Sequence, residues 1–189
     1  MKNSILVIGL AFTIAISCGC GPKGDTRAEK IESSAQMLQD TLQEAYTRKP
    51  DLKPMVEQAQ GYAVFKNFGT QLMVLASGSG WGVVHDNRTG RDTHMKMLQL
   101  GGGLGVAIKD YRAVFVFHSR QAMNDFIEHG WGAEGQAQAS ARAGEEGGTA
   151  VGAQQIAKGI SVYQFTKNGI ALQATISGMK FWKNEELNK

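Results

Sequence analysis

The sequence predicts an α+β fold: an antiparallel sheet, barrel-like or strongly curved, with an N-terminal helical hairpin and one inserted helix. Three observations carry this. Apolar residues recur at helical spacing over residues 25–48, and from Gly61 the pattern changes to short Val- and aromatic-rich runs broken by Gly and Asn. A second helical pattern, residues 119–129, interrupts those runs once.

The chain opens with MKNSILVIGLAFTIAISCGC. Lys2 supplies a positive start, residues 5–16 an apolar run, and Ser17 a small residue at a processing site, the parts of a secretory signal peptide. The run is too short to span a bilayer, which takes about 20 residues. Ala15-Ile16-Ser17-Cys18 resembles the bacterial lipobox, in which cleavage exposes a cysteine that then carries acyl chains such as palmitate. The expected organisation is a signal peptide over 1–17, a lipidated tether over 18–25 and one domain over 26–189. Cys18 is the acylated residue in this reading and Cys20 the alternative. Asp25 lies well past Cys18, so the resemblance implies sorting to the outer membrane, facing the periplasm; without lipidation the protein would be periplasmic.

In the helical region, Asp25 is a candidate cap, and Ile31, Ala35, Leu38, Leu42 and Tyr46 form the apolar stripe. Pro50 ends this helix, and residues 51–60 read as a second, with Pro54 tolerated in its first turn. Helices therefore occupy 26–60 and a β-rich body 61–182. GYAVF, QLMVLAS and GWGVVH read as strands, and residues 86–90, DNRTG, as a turn. THMKMLQL and GGGLGVAIK read as one long strand bent at its glycines, followed by RAVFVF. Ser119 can cap the inserted helix and Gly130 can stop it. Residues 133–143 alternate Ala with polar residues as a further strand would, and a glycine-rich loop follows at 144–149. KGISVYQF and GIALQATIS flank Lys167-Asn168-Gly169, where Asn-Gly between alternating runs signals a hairpin. MKFW extends the second of these strands, and KNEELNK is a polar tail.

Composition narrows the function. Both cysteines lie at the processing site, so the body has no thiol nucleophile, Cys-ligated metal or disulfide. The net charge of +3 is spread without a Lys/Arg block, which argues against nucleic acid. Gly101-Gly102-Gly103-Leu104-Gly105 is not followed by a helix, so it is no dinucleotide fingerprint. Ser77 and Ser79 lack the flanking glycines of a nucleophile elbow. His85, His94, His118 and His129 lack metal-ligand spacing and read as surface residues, and Glu145 and Glu146 as solvated ones. No catalytic residue, metal site or cofactor is expected.

Several features then fall in a familiar order: AQGYAVF, GSGWGVV, LQLGGGLGVAIKDYRAVFVF, a helix with WGAEGQAQA behind it, ISVYQFTKNGIALQATISG, and the ending MKFWKNEELN. Over 31–188 the chain resembles the SYLF domain family of lipid-binding domains. The resemblance implies phospholipid binding without catalysis. Thr70-Gln71-Leu72 stands where the family often has Gly-Gly-Phe, and Gly103-Leu104-Gly105-Val106-Ala107 stands where it often has a glutamine in a Gly-x-Gln-x-Gly stretch. A phosphoinositide preference is accordingly not carried over, nor is an actin-related role. Lys66, Lys96, Lys109, Arg112, Lys158 and Lys180 are the candidates for anionic headgroups, each contributing about 1 kcal/mol if it reaches the surface. Among Trp81, Trp131 and Trp182, the first two are candidate lipid contacts, because indole is apolar with a polar edge. The functional expectation is a bacterial envelope lipoprotein whose body binds phospholipid or another amphiphile non-covalently. The alternative is an envelope structural or assembly protein that binds a protein partner through its β surface.

Overall fold

A computed structural model describes residues 21–72, 75–102, 110–130, 154–157, 159–166, 169–171 and 179–189. The signal peptide, Cys18, Cys20, Lys109, Trp131, Lys158, the expected strand at 133–143 and the loop at 144–149 lie outside them.

Helix α1 spans Arg27–Arg48 and α2 spans Leu52–Gln58. The cap of α1 is Thr26 rather than Asp25: Thr26 Oγ1 accepts the Glu29 N–H at 3.2 Å, and the Glu29 carboxylate accepts the Thr26 N–H at 3.2 Å. This reciprocal arrangement needs Thr-x-x-Glu spacing, and Asp25 stands one residue too early for it. The buried stripe is also rotated from the expected one. Ser34, Met37, Leu38, Thr41, Leu42 and Ala45 are inside while Ala35 is exposed. Ser34 is tolerated there because its hydroxyl donates to the Lys30 carbonyl at 2.8 Å.

The strands are β1 Gly61–Leu72, β2 Leu75–Asp86, β3 Arg91–Gly102, β4 Asp110–Phe117, β5 Gln154–Ala157, β6 Ile160–Thr166, β7 Gly169–Ala171 and β8 Met179–Lys183; α3, Arg120–His129, lies between β4 and β5. They form one sheet in the order β5-β6-β4-β1-β2-β3-β8, with β7 beside β6, and every strand pair is antiparallel. β5 and β8 end the sheet without pairing to each other, so among the described residues it does not close and a barrel is not supported. Helices lie on both faces of the open sheet, α1 and α2 on one and α3 on the other.

One face buries Val64, Val83, Val114, Val116, Tyr163 and Phe165 against Met37, Leu38, Leu42 and Ala45 of α1 and Leu52 and Val56 of α2. The other carries Phe65, Phe115, Phe117 and Phe181 around Phe126 of α3, with ring centroids 4.8 to 6.0 Å apart. Burial on both faces explains why GYAVF and RAVFVF are continuous apolar runs rather than alternating ones. The turn at 87–90 is held by Asp86, whose Oδ1 accepts the Arg88 N–H at 2.9 Å, and by Gly90 at φ +68°. Asn87 Nδ2 donates to the Val56 and Ala59 carbonyls, which ties that turn to α2. Asp86 also accepts two 3.0 Å bonds from Arg120, fastening the start of α3 to the end of β2. At the far end of α3, Gly130 sits at φ +67° against the Phe181 carbonyl.

One expectation about the C-terminal part is corrected. Residues 179–183 do not extend the 169–171 strand; β8 crosses to the opposite end of the sheet and pairs with β3, because its alternation puts Met179 and Phe181 into the aromatic core. The polar tail is docked against the start of α1. Leu187 is 3% exposed, Arg27 donates to the Leu187 and Lys189 carbonyls, and Lys30 pairs with Glu186 at 2.9 Å.

Candidate functional site

Cross-strand register brings four of the sequence candidates into one line. Reading across β6, β4, β1, β2, β3 and β8, directly opposed residues are Phe165, Arg112, Lys66, Trp81, Lys96 and Trp182. Opposed residues share a sheet face with Cβ atoms about 5 Å apart, so this is a continuous basic and aromatic row on the face that α1 crosses. Lys180 lies two residues before Trp182 on the same face, opposite Leu98.

Burial grades along the row. Phe165 and Trp81 are buried and Arg112 and Lys66 half-buried, whereas Lys96, Lys180 and Trp182 are exposed. Arg112 is committed to Glu44 of α1, which also pairs with Arg48 at 2.7 Å. Trp81 is 6% exposed in the cluster beneath α1, so the expectation that it contacts lipid directly is corrected: its ring fills core space, and among the described residues its indole N–H has no acceptor. The exposed tryptophan of the row is Trp182, at 38%. Its alternation with Phe181, one inward and one outward on an edge strand, is the signal that marks it in the sequence.

Three described histidines have partners or positions that spacing did not reveal. His85 Nδ1 lies 2.6 Å from Asp92 Oδ1, with the Tyr62 ring 5.0 Å away, and burial pushes the Tyr62 phenol up to about 12. His118 Nε2 lies 2.8 Å from Ser161 Oγ, and among the described residues no carboxylate bonds that imidazole. His94 is 7% exposed, not a surface residue, and among the described residues its Nδ1 has no partner. Burial holds its imidazole below the usual range. Among the described residues no group of three or more His, Cys, Asp or Glu stands close enough to hold a metal ion, and no helix is long and apolar enough to cross a membrane.

Beside His94 a cleft of about 650 Å³ opens where β3 runs past the end of β8. One wall is α3 with Met123 and Ile127, and the other is the start of α1 with the docked tail. Its size suits a small ligand or a short stretch of chain.

No family model matches the chain. It is similar to Beta cell expansion factor A of Aeromonas veronii, 32% identical over 166 residues, or 86% of this chain and 60% of the relative. The chain thus spans about 60% of the length of the curated relative it matches.

Proposed function

We propose that the protein is an exported envelope lipoprotein, acylated at Cys18 or alternatively Cys20, whose SYLF-like body binds anionic phospholipid through the exposed end of the row. The observation that carries this reading is the convergence of Lys96, Lys180 and Trp182 on one face at the edge of the sheet. Two exposed ammonium groups beside an exposed indole suit a headgroup layer, where charge attracts phosphate and the ring sits at the interface. Arg112 and Trp81 serve the fold in this reading, holding α1 across the row. If acyl chains already keep the protein on one membrane, the row engages a second membrane or the local headgroups.

Flotation with anionic liposomes tests it, using a form that begins after Cys20. Lys96→Gln with Lys180→Gln removes two charges at about 1 kcal/mol each, so partitioning should fall about thirtyfold at low salt. Trp182→Ala should lower the salt-resistant part of binding. Equal flotation of the double variant and the unaltered protein would exclude this surface.

A further inference from the structure

β8 covers β3 only from Met95 to Gln99, which leaves Arg91, Asp92 and Thr93 with an uncovered edge inside the cleft. The end of the covered part is finished by a side chain acting as backbone. Asn188 Oδ1 accepts the His94 N–H at 2.9 Å, and Asn188 Nδ2 donates to the His94 carbonyl at 2.6 Å. Those bonds show that the N–H and C=O of His94 face outward. In an antiparallel strand the same groups two residues earlier face the same way, so the Asp92 N–H and C=O point into the cleft. Among the described residues nothing bonds them.

We propose that this edge accepts an extended peptide, antiparallel to β3, of the pattern apolar, then Ser or Thr, then acidic. The proposal specifies the protein-partner alternative and does not rest on the lipid reading. Each position follows from the alternation of faces. A residue opposite Thr93 shares the face of Val84, which with Met123 and Ile127 makes an apolar wall of the cleft. The next residue, opposite Asp92, exchanges both backbone bonds and shares the face of Asp92 and His85, where its hydroxyl can donate to the exposed Asp92 carboxylate. The third, opposite Arg91, meets a guanidinium that is exposed and has no ion-pair partner among the described residues. Asn188 closes the slot on the N-terminal side of the peptide, so recognition begins at the apolar residue.

The test is fluorescence anisotropy of acetyl-Ile-Thr-Glu-Thr amide, carrying a fluorophore at its C-terminal end, with the whole protein. Saturable binding is expected. N-methylation of the first Thr removes the donor to the Asp92 carbonyl and should weaken it about tenfold. Arg91→Glu should lose the Glu peptide by a similar factor and gain acetyl-Ile-Thr-Lys-Thr amide, an exchange that a merely unfolded variant cannot produce. Its unchanged flotation on anionic liposomes separates the outcome from the lipid reading. Absence of saturation into the millimolar range would overturn the proposal. So would equal binding of the N-methylated probe, equal binding of acetyl-glutamate amide alone, or self-association dependent on Arg91, which would make a second copy the occupant.

Discussion

Replacing Asn188 with alanine should unfasten the C-terminal segment, and the structure gives the size of the effect. The side chain makes three hydrogen bonds: it accepts from the His94 N–H and donates to the His94 and Asn184 carbonyls. Neutral hydrogen bonds are worth about 1 kcal/mol each, and a stranded donor in a shielded place costs about 1–3 kcal/mol. Both carbonyls can find water because Asn188 is only half-buried, and the His94 carbonyl keeps its bond from the Asn184 N–H at 2.9 Å. The His94 N–H loses its partner outright. We expect about 2 kcal/mol of destabilisation, which for a domain of this size lowers the melting temperature by about 4–8 °C. Asn188→Asp retains the acceptor for the His94 N–H and loses both donated bonds, so it should cost about half as much. Calorimetry supplies the melting temperatures, and amide exchange at His94 should speed up in Asn188→Ala but much less in Asn188→Asp. A shift under about 1 °C with His94 exchange unaltered would refute the reasoning, since the tail would then contribute nothing to the edge it caps.

Gly130→Ala places a Cβ 1.9 Å from the Phe181 oxygen at φ +67°. Left-handed backbone alone costs about 1–2 kcal/mol and the clash adds to it, so a urea titration should show a loss of more than about 2 kcal/mol. The Arg120 guanidinium holds the Asp86 carboxyl well below the usual range. A depressed carboxylate contributes stability that is full above its unfolded value near 4 and declines as pH falls toward the folded one. Melting followed from pH 5 downward should therefore have a shallower acid limb in Asp86→Asn, and an identical limb would count against the bridge. Burial lowers the His94 imidazole, so the unfolded chain takes up that proton first as pH falls through about 6.5. His94→Gln should flatten the stability profile between neutral pH and about 5, a change readable by chemical denaturation at each pH.

Elements whose signal is local were legible. The period of α1, the DNRTG turn, the Ser119 and Gly130 boundaries of α3 and the pairing of β6 with β7 all depend on neighbours in sequence, and each is found where expected. What escaped depends on distant partners. The rotation of the α1 stripe is set by which sheet face it meets, and the place of β8 by a core to which β1, β4 and α3 contribute. Lys66, Lys96, Arg112 and Lys180 were recognisable as strand-borne cations, but a charge on a strand does not disclose its cross-strand neighbour. Trp81 and Trp182 illustrate the same limit: both stand in alternating strands, yet α1 buries the first, while the edge position of β8 exposes the second.

Periodicity and composition were enough to place an amphipathic helix before a glycine-bearing β body, to keep cysteine out of that body, and to scatter its basic residues along strands. Tertiary structure alone decided that the sheet stays open between two helical layers, that four dispersed candidates share one row, and that a tail rich in polar residues closes part of the β3 edge. The division has a physical cause. Periodicity and turn chemistry arise within a few residues of chain, whereas register, burial and edge capping are contacts between residues as far apart as Arg27 and Leu187, His94 and Asn188, or Arg112 and Glu44.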